Sequence, residues 1–371
     1  MTTIQAAVAL SPDQPFTLQS LALESPRADE VLVRIVASGI CHTDVAVKEQ
    51  SVLLPLPMVL GHEGSGVVEA VGSAVQHLVA GDHVVLSGDS CGHCSSCHRG
   101  LPSYCDEFVD RNLTGCRVDG SSPMHAIGGS TNAPMRGRFV GQSSFATHSL
   151  VPARAAIKVP KDLPLELLGP LGCGWTTGVG TVVNALKPPP GSHIVIFGAG
   201  TVGLAAVMGS LLCGCEQIIV VDPKASRRDM AAALGATVCL DPNQEDVVEY
   251  VLAATKGGAG YTVECSGVTS AIEQAIACLG RPGWCAQVGA PPGGTKITLD
   301  MDHVGFGRGI RGVVMGDANP QTFVPYLAEL YRSGRLPFDR FVKYYDFADI
   351  NQAIEDCTGS GEVIKPVLRM P

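Results

Sequence analysis

Between Ile194 and Cys215 the chain reads IVIFGAGTVGLAAVMGSLLCGC, an uncharged run cut early by glycines at 198, 200 and 203. Its length reaches that of a bilayer span, but the glycines divide it into a short β-branched strand and a helix of small residues. Both halves are apolar throughout, as elements buried on two sides inside an α/β layer are. The same alternation continues: strand QIIVVD, helix KASRRDMAAALG, strand TVCL, then YTVEC, AIEQAIACL and WCAQVG. Strand and helix repeating in this order imply a parallel sheet covered on both faces, a doubly wound α/β fold. Lys187-Pro188-Pro189-Pro190-Gly191 precedes the first strand as a stiff connector.

The first half has a different rhythm. EVLVRIVAS, GSGVVEAVG and DHVVLSG are short alternating or β-branched runs separated by Gly, Pro and Asp, which predicts an antiparallel β domain. At 371 residues the chain exceeds the size at which one core stops growing. The stretch from Tyr326 to Pro371 reads as two amphipathic helices and a closing strand.

A net charge of −9 and the lack of any basic run argue against a nucleic-acid partner and against a membrane surface. The amino terminus, MTTIQAAVALSPDQPF, has no basic segment followed by an apolar one, so a cytoplasmic location is expected. In that compartment the 14 cysteines are thiols or metal ligands.

Cys91, Cys94, Cys97 and Cys105 lie in a Gly/Ser/His-rich segment with almost no apolar residues. Four thiolates suit a tetrahedral, closed zinc site. An iron–sulfur cluster is the alternative, although the proline that follows the last cysteine in two-cluster ferredoxins is replaced here by Asp106. His93 and His98 read as solvated loop residues. Elsewhere, Cys41 in GICHTD, His62 in GHE and Cys173 in LGPLGCGWTTG supply two cysteines and a histidine, the ligand set of a catalytic zinc with one open position.

Gly198-x-Gly200-x-x-Gly203 follows a strand and opens a helix at Thr201-Val202, and the next strand ends at Asp222. That context turns a weak motif into a dinucleotide site, with the helix amino end toward the pyrophosphate. Asp222 accepting from the ribose hydroxyls selects NAD over NADP.

CHTD, the GHExxGxxxxxGxxV run from Gly61 to Val75, the four-cysteine lobe and GAGTVG together resemble the zinc-dependent medium-chain alcohol dehydrogenases over essentially the whole chain. FVGQSSFA, LPLELLGPLGCG and NALKP most resemble the aryl-alcohol (benzyl-alcohol) members, with allylic terpene alcohol dehydrogenases close by. The resemblance implies a GroES-like catalytic domain of residues 1–173 and 316–371, and an inserted Rossmann domain of residues 174–315. It implies two zinc ions per subunit, Cys41, His62 and Cys173 on the catalytic one and the four-cysteine lobe on the structural one. Asp44 would orient His62, and Glu63 would lie behind the metal as a mobile carboxylate. Thr43 would take the proton of the alcohol. The relay's usual terminal histidine is absent, its position being Ala46, and His42 stands where relatives carry a phosphate-binding arginine. Arg227 would touch the ribose, and Lys365 is expected among the cofactor contacts.

By the same resemblance Ser87, Phe139, Val140, Ala290 and Val314 would line the substrate pocket, with Ser87 leaving room for a ring or branched tail. Phe145 reads instead as core. The expected reaction is oxidation of a primary aromatic or allylic alcohol to its aldehyde with hydride transfer to NAD, by a homotetramer or dimer. A glutathione-dependent formaldehyde dehydrogenase ranks lower, because no matched pocket position is cationic.

Overall fold

The computed structural model describes residues 1–127, 135–360 and 362–371. Two compact units divide them: Met1–Cys173 with Asn319–Pro371, and Gly174–Ala318.

The first unit is built mainly from antiparallel strands. Met58–Val59, Thr2–Ala9, Thr17–Leu23 and Met124–Ala126 form one sheet in that order. A second sheet runs Val342–Asp346, Lys365–Arg369, Glu30–Gly39, Glu63–Val71, His83–Leu86 and Ala156–Lys158, with His148–Pro152 also paired to Glu30–Gly39. Strand Glu30–Gly39 alternates large apolar side chains, and Val31, Val33 and Ile35 are buried with Val68, Val84 and Leu86. Each such side chain contributes about 1.5–3 kcal/mol of burial.

Register positions the chemistry. Gly39 pairs with Glu63, so Cys41, two residues after one strand, and His62, the residue before the other, emerge at the same sheet end. The glycine is required there, because a Cβ at Gly39 would meet Glu63 Oε2 at 2.2 Å. The closing strand Lys365–Arg369 pairs Val367 with Gly39 and reaches the same end.

The second unit holds six parallel strands in the order Val238–Leu240, Gln217–Val221, His193–Phe197, Ala259–Glu264, Leu279–Gln287 and Arg308–Gly312. Every adjacent pair is parallel, as the alternation predicts. Val195, Phe197, Ile219 and Val221 are in its core. Helix Thr201–Leu212 is buried from Gly203 to Ser210, which accounts for its lack of charge. Among the described residues no helix is long and apolar enough to cross a membrane. A glycine-rich helix, Gly174–Gly180 continuing as a π turn Thr181–Leu186, precedes the proline connector and has no counterpart in the pattern reading. It packs closely on the next helix: a Cβ at Gly178 would meet Val202 O at 2.2 Å.

Candidate metal and dinucleotide sites

Cys41 caps the short helix His42–Lys48, and Asp44 in its first turn reaches back to accept from Cys41 N at 2.9 Å. The other carboxylate oxygen of Asp44 accepts from Gly61 N at 3.0 Å and lies 2.9 Å from His62 Nδ1. One buried aspartate thus ties the Cys41 turn to the His62 segment. It also leaves Nε2 of His62 facing Cys173 Sγ at 3.3 Å. A carboxylate on one ring nitrogen orients the other toward a metal and raises its basicity.

Gln142, buried completely, clamps the same segment from the other side: its Nε2 donates to His62 O at 2.9 Å and its Oε1 accepts from Gly64 N at 3.0 Å. Gln142 lies in the FVGQSSFA segment that carries the resemblance, but its residue type alone does not assign it this clamp. The turn that carries Cys173 is drawn against strand His83–Leu86 by Gly172, whose Cβ would meet Leu86 O at 1.9 Å.

The ligand atoms of Cys41, His62, Glu63 and Cys173 all lie within 4.8 Å of one another. Cys173 donating to Cys41 holds the Cys41 thiol well below its ordinary value and pushes its own well above. Two thiolates this close, with a histidine beside them, call for a cation between them, as the donor set of a zinc site does. Glu63 is fully buried. Its Oε2 accepts from Lys365 Nζ at 2.7 Å, and burial pushes its carboxyl above the ordinary range.

That pairing corrects the reading of Lys365. Its ammonium is 2% exposed and is taken up by Glu63 and by Ile40 O at 2.9 Å, because the strand register aims it inward at the sheet end. It is therefore a partner of the metal-site carboxylate and not an open cofactor contact. Thr43 and His42 are exposed, and Thr43 Oγ1 lies 3.7 Å from Cys41 Sγ.

Two pocket expectations also change. Ser87 is 1% exposed and donates to Gly172 O at 2.9 Å, so its small size serves the close approach of the Cys173 turn and leaves no open volume. Phe139 is completely buried, its ring edge-on to His62 at 5.5 Å, and thus packs behind the ligand. Val140 is half-buried, and Ala290 and Val314 are exposed in the other unit. Phe145 is core, stacked edge-on against Phe16.

The four-cysteine lobe gathers Cys91, Cys94, Cys97 and Cys105 with all sulfurs within 4.8 Å. Backbone N–H groups of His93 and Cys94 donate to Cys91 Sγ, and Cys91 N donates to Cys105 Sγ at 3.2 Å. Backbone donors bring Cys94 down to about 6, whereas burial takes Cys105 up to about 12. A divalent cation held by the four sulfurs would favour the thiolate form of all of them. His93 and His98 are exposed, as expected.

In the second unit Gly198 has φ +92, and Gly203 admits no side chain, since a Cβ would meet Gly198 O at 1.8 Å. Gly200, by contrast, faces open space, with Arg227 Nη1 4.0 Å from its Cβ position. Among the described residues Arg227 Nε is buried without a hydrogen-bond partner. An uncommitted cation over a glycine turn at a helix amino end suits a pyrophosphate. Asp222 is 3% exposed and accepts from Ala199 N at 2.7 Å and Lys224 N at 2.8 Å, shaping the turn itself.

Comparison with known proteins agrees with this geometry. Residues 27–161 match the alcohol dehydrogenase GroES-like domain, and residues 201–332 match the zinc-binding dehydrogenase domain. Geraniol dehydrogenase of Castellaniella defragrans is 44% identical over 98% of this chain and 97% of its own. The crystal structure of benzyl alcohol dehydrogenase from Acinetobacter calcoaceticus superposes with a TM-score of 0.96 at 43% identity over 100% of both chains. An alcohol dehydrogenase zinc-binding domain protein from Burkholderia ambifaria gives 0.97 at 47%, over 100% of this chain and 99% of the other. The chain belongs to the zinc-dependent medium-chain alcohol dehydrogenases, enzymes with zinc and a nicotinamide dinucleotide as cofactors.

Proposed function

We propose that the protein oxidises a primary aromatic or allylic alcohol, of the benzyl alcohol kind, to the aldehyde, reversibly and with NAD. The observation that carries this reading is the convergence of Cys41, His62 and Cys173 beside the exposed hydroxyl of Thr43. Cys41, His62 and Cys173 would hold a zinc ion that would supply Lewis acidity at the alcohol oxygen, and a bound dinucleotide would supply the hydride acceptor.

The chain's own residues do the rest. Thr43 accepts the alcohol proton from a position next to Cys41. His42, exposed beside it, binds cofactor phosphate and shares in moving that proton outward, since Ala46 cannot. Asp44 keeps Nε2 of His62 directed toward Cys173, where a metal would be held, and Glu63 lies beside the ligand atoms with its charge balanced by Lys365. Gly198, Gly200, Thr201, Val202, Gly203, Asp222 and Arg227 hold the dinucleotide, with the Asp222 carboxylate disfavouring a 2′-phosphate. Val140, Ala290 and Val314 offer apolar contact to the substrate. Cys91, Cys94, Cys97 and Cys105 would hold a second, closed zinc that would brace the lobe. The names of the geraniol and benzyl alcohol relatives support an aromatic or allylic substrate. A cytoplasmic homotetramer or dimer is the form we expect.

The test is absorbance at 340 nm with NAD and benzyl alcohol, geraniol, ethanol or S-hydroxymethylglutathione. Preference for the first two by kcat/KM supports the proposal. Preference for ethanol or for the glutathione adduct overturns the substrate class.

A further inference from the structure

Three cations meet at the amino ends of the strands Ala259–Glu264, Leu279–Gln287 and Arg308–Gly312. Because the sheet is parallel, that end is opposite to the glycine-rich turn that follows His193–Phe197. Lys256, Arg281 and Arg308 line an open pocket of about 500 Å³ there, together with Gly257, Gly258 and Gly280.

The pocket is shaped by backbone. Lys256, Gly257 and Gly258 all have positive φ, and a Cβ at Gly258 would meet Gly280 N at 2.4 Å, so only glycine lets this loop close on the neighbouring strand. Arg308 is 8% exposed, and its Nε and Nη1 donate to Leu279 O at 2.7 Å and His303 O at 2.8 Å. Those bonds fix the guanidinium and leave Nη2 uncommitted among the described residues. Arg281 lies 4.4 Å over the Phe306 ring and is held near the rim. No carboxylate pairs with any of the three cations among the described residues. Burial and the charge of Arg281 both lower the pKa of Arg308, so the repulsion is unrelieved.

We propose that this pocket binds a phosphoryl dianion, either free phosphate or the phosphate of a small phosphorylated molecule, at a site separate from the dinucleotide turn. Three positive charges from three chain segments, Arg281 with its guanidinium fork unused among the described residues and Arg308 with Nη2 to spare, match a multivalent oxyanion better than a single carboxylate. Such a ligand relieves the repulsion among the cations and so stabilises the folded unit, with the logarithm of its concentration above Kd.

The experiment uses the full-length, zinc-loaded protein saturated with NAD, so that the cofactor's own phosphate contacts are filled. Inorganic phosphate and glycerol phosphate are titrated separately by calorimetry and by thermal melting, against sodium chloride at matched ionic strength. Binding of one anion per chain and a raised melting temperature are expected, with Lys256→Ala/Arg281→Ala weakening the affinity by about tenfold or more. Both replaced side chains are exposed, and neither belongs to the reaction site, so turnover of the double variant with alcohol and NAD stays unchanged. Tighter binding of the ester than of free phosphate identifies a phosphorylated molecule as the ligand, and the reverse identifies phosphate itself. Responses to phosphate no larger than to chloride, or equal affinity in the double variant, overturn the proposal. Neither result bears on alcohol oxidation.

Discussion

Lys365 Nζ donates to Glu63 Oε2 at 2.7 Å, and both side chains are closed to solvent. The closing strand of the chain therefore neutralises a carboxylate whose ligand atom lies within 4.8 Å of those of Cys41, His62 and Cys173. Removing one member of such a pair leaves a buried charge without its counterion. Lys365→Met is expected to cost about 3–5 kcal/mol of stability in urea denaturation. Glu63→Gln added to it is expected to recover most of the loss. If the double variant is as unstable as the single one, the pair does not act as a unit.

Asp44 touches both the Cys41 turn and the ring of His62. Asp44→Asn is expected to weaken retention of one of two zinc ions by about 10- to 100-fold, in a chelator competition. The other zinc, in the four-cysteine lobe, is expected to stay. Loss of both together would mean that the variant has unfolded, and retention of both would remove the orienting role.

Gln142 holds the backbone on both sides of His62 without touching its ring. Gln142→Leu orphans His62 O and Gly64 N, a cost of about 1–3 kcal/mol for each buried group. The variant is expected to lose stability and catalytic zinc together, and Gln142→Glu, which sets a buried carboxylate oxygen against His62 O, is expected to fare no better at neutral pH. Equal zinc content in wild type and Gln142→Leu would show that the clamp is dispensable.

Glu30 opens the long strand Glu30–Gly39 and receives Arg117 through Nε at 2.7 Å and Nη2 at 3.0 Å, with Arg138 also bound. Burial pushes its carboxyl up, but Arg117 and Arg138 outweigh it and hold the value below the ordinary 4.5. The folded state thus binds the proton more weakly than the unfolded one. The resulting stability is fully present above pH 4.5 and is lost as pH falls through the depressed folded value. Glu30→Gln is expected to lower stability at pH 7 and to flatten this part of the acid limb in melts between pH 3 and 6. An acid limb of unchanged slope would exclude Glu30 as its source.

Asp222 combines a turn-shaping role with the proposed selection of NAD. Asp222→Asn keeps the side-chain shape and removes the charge. The ratio of kcat/KM for NADP to that for NAD is expected to rise by about tenfold or more, since a like charge no longer opposes the 2′-phosphate. An unchanged ratio would place cofactor choice elsewhere.

The parallel sheet was legible because its helices and strands announce themselves locally. Helix Thr201–Leu212 and strand His193–Phe197 follow from apolar runs bounded by glycines, and Gly203 answers to a contact only five residues away, on Gly198 O. The two metal-ligand sets were legible for a related reason. Thiols at short spacing in a hydrophilic loop, or a Cys, His and Cys in recognisable surroundings, are chemically distinctive whatever fold surrounds them.

What the sequence could not decide lies in where long-range register aims a side chain. Lys365 and Gln142 are ordinary polar residues by composition, and only the pairing of Lys365–Arg369 with Glu30–Gly39, and the fold of the Phe139–Ser144 turn, bury them on Glu63 and His62. Ser87 looked like space for a substrate, yet the approach of Gly172 to Leu86 uses that space first. By itself the sequence determined which elements form and which residues can ligate, because both depend on near neighbours and on side-chain chemistry. Only the tertiary structure decided which buried charges pair and which small residues are packing, because those outcomes depend on partners far away along the chain.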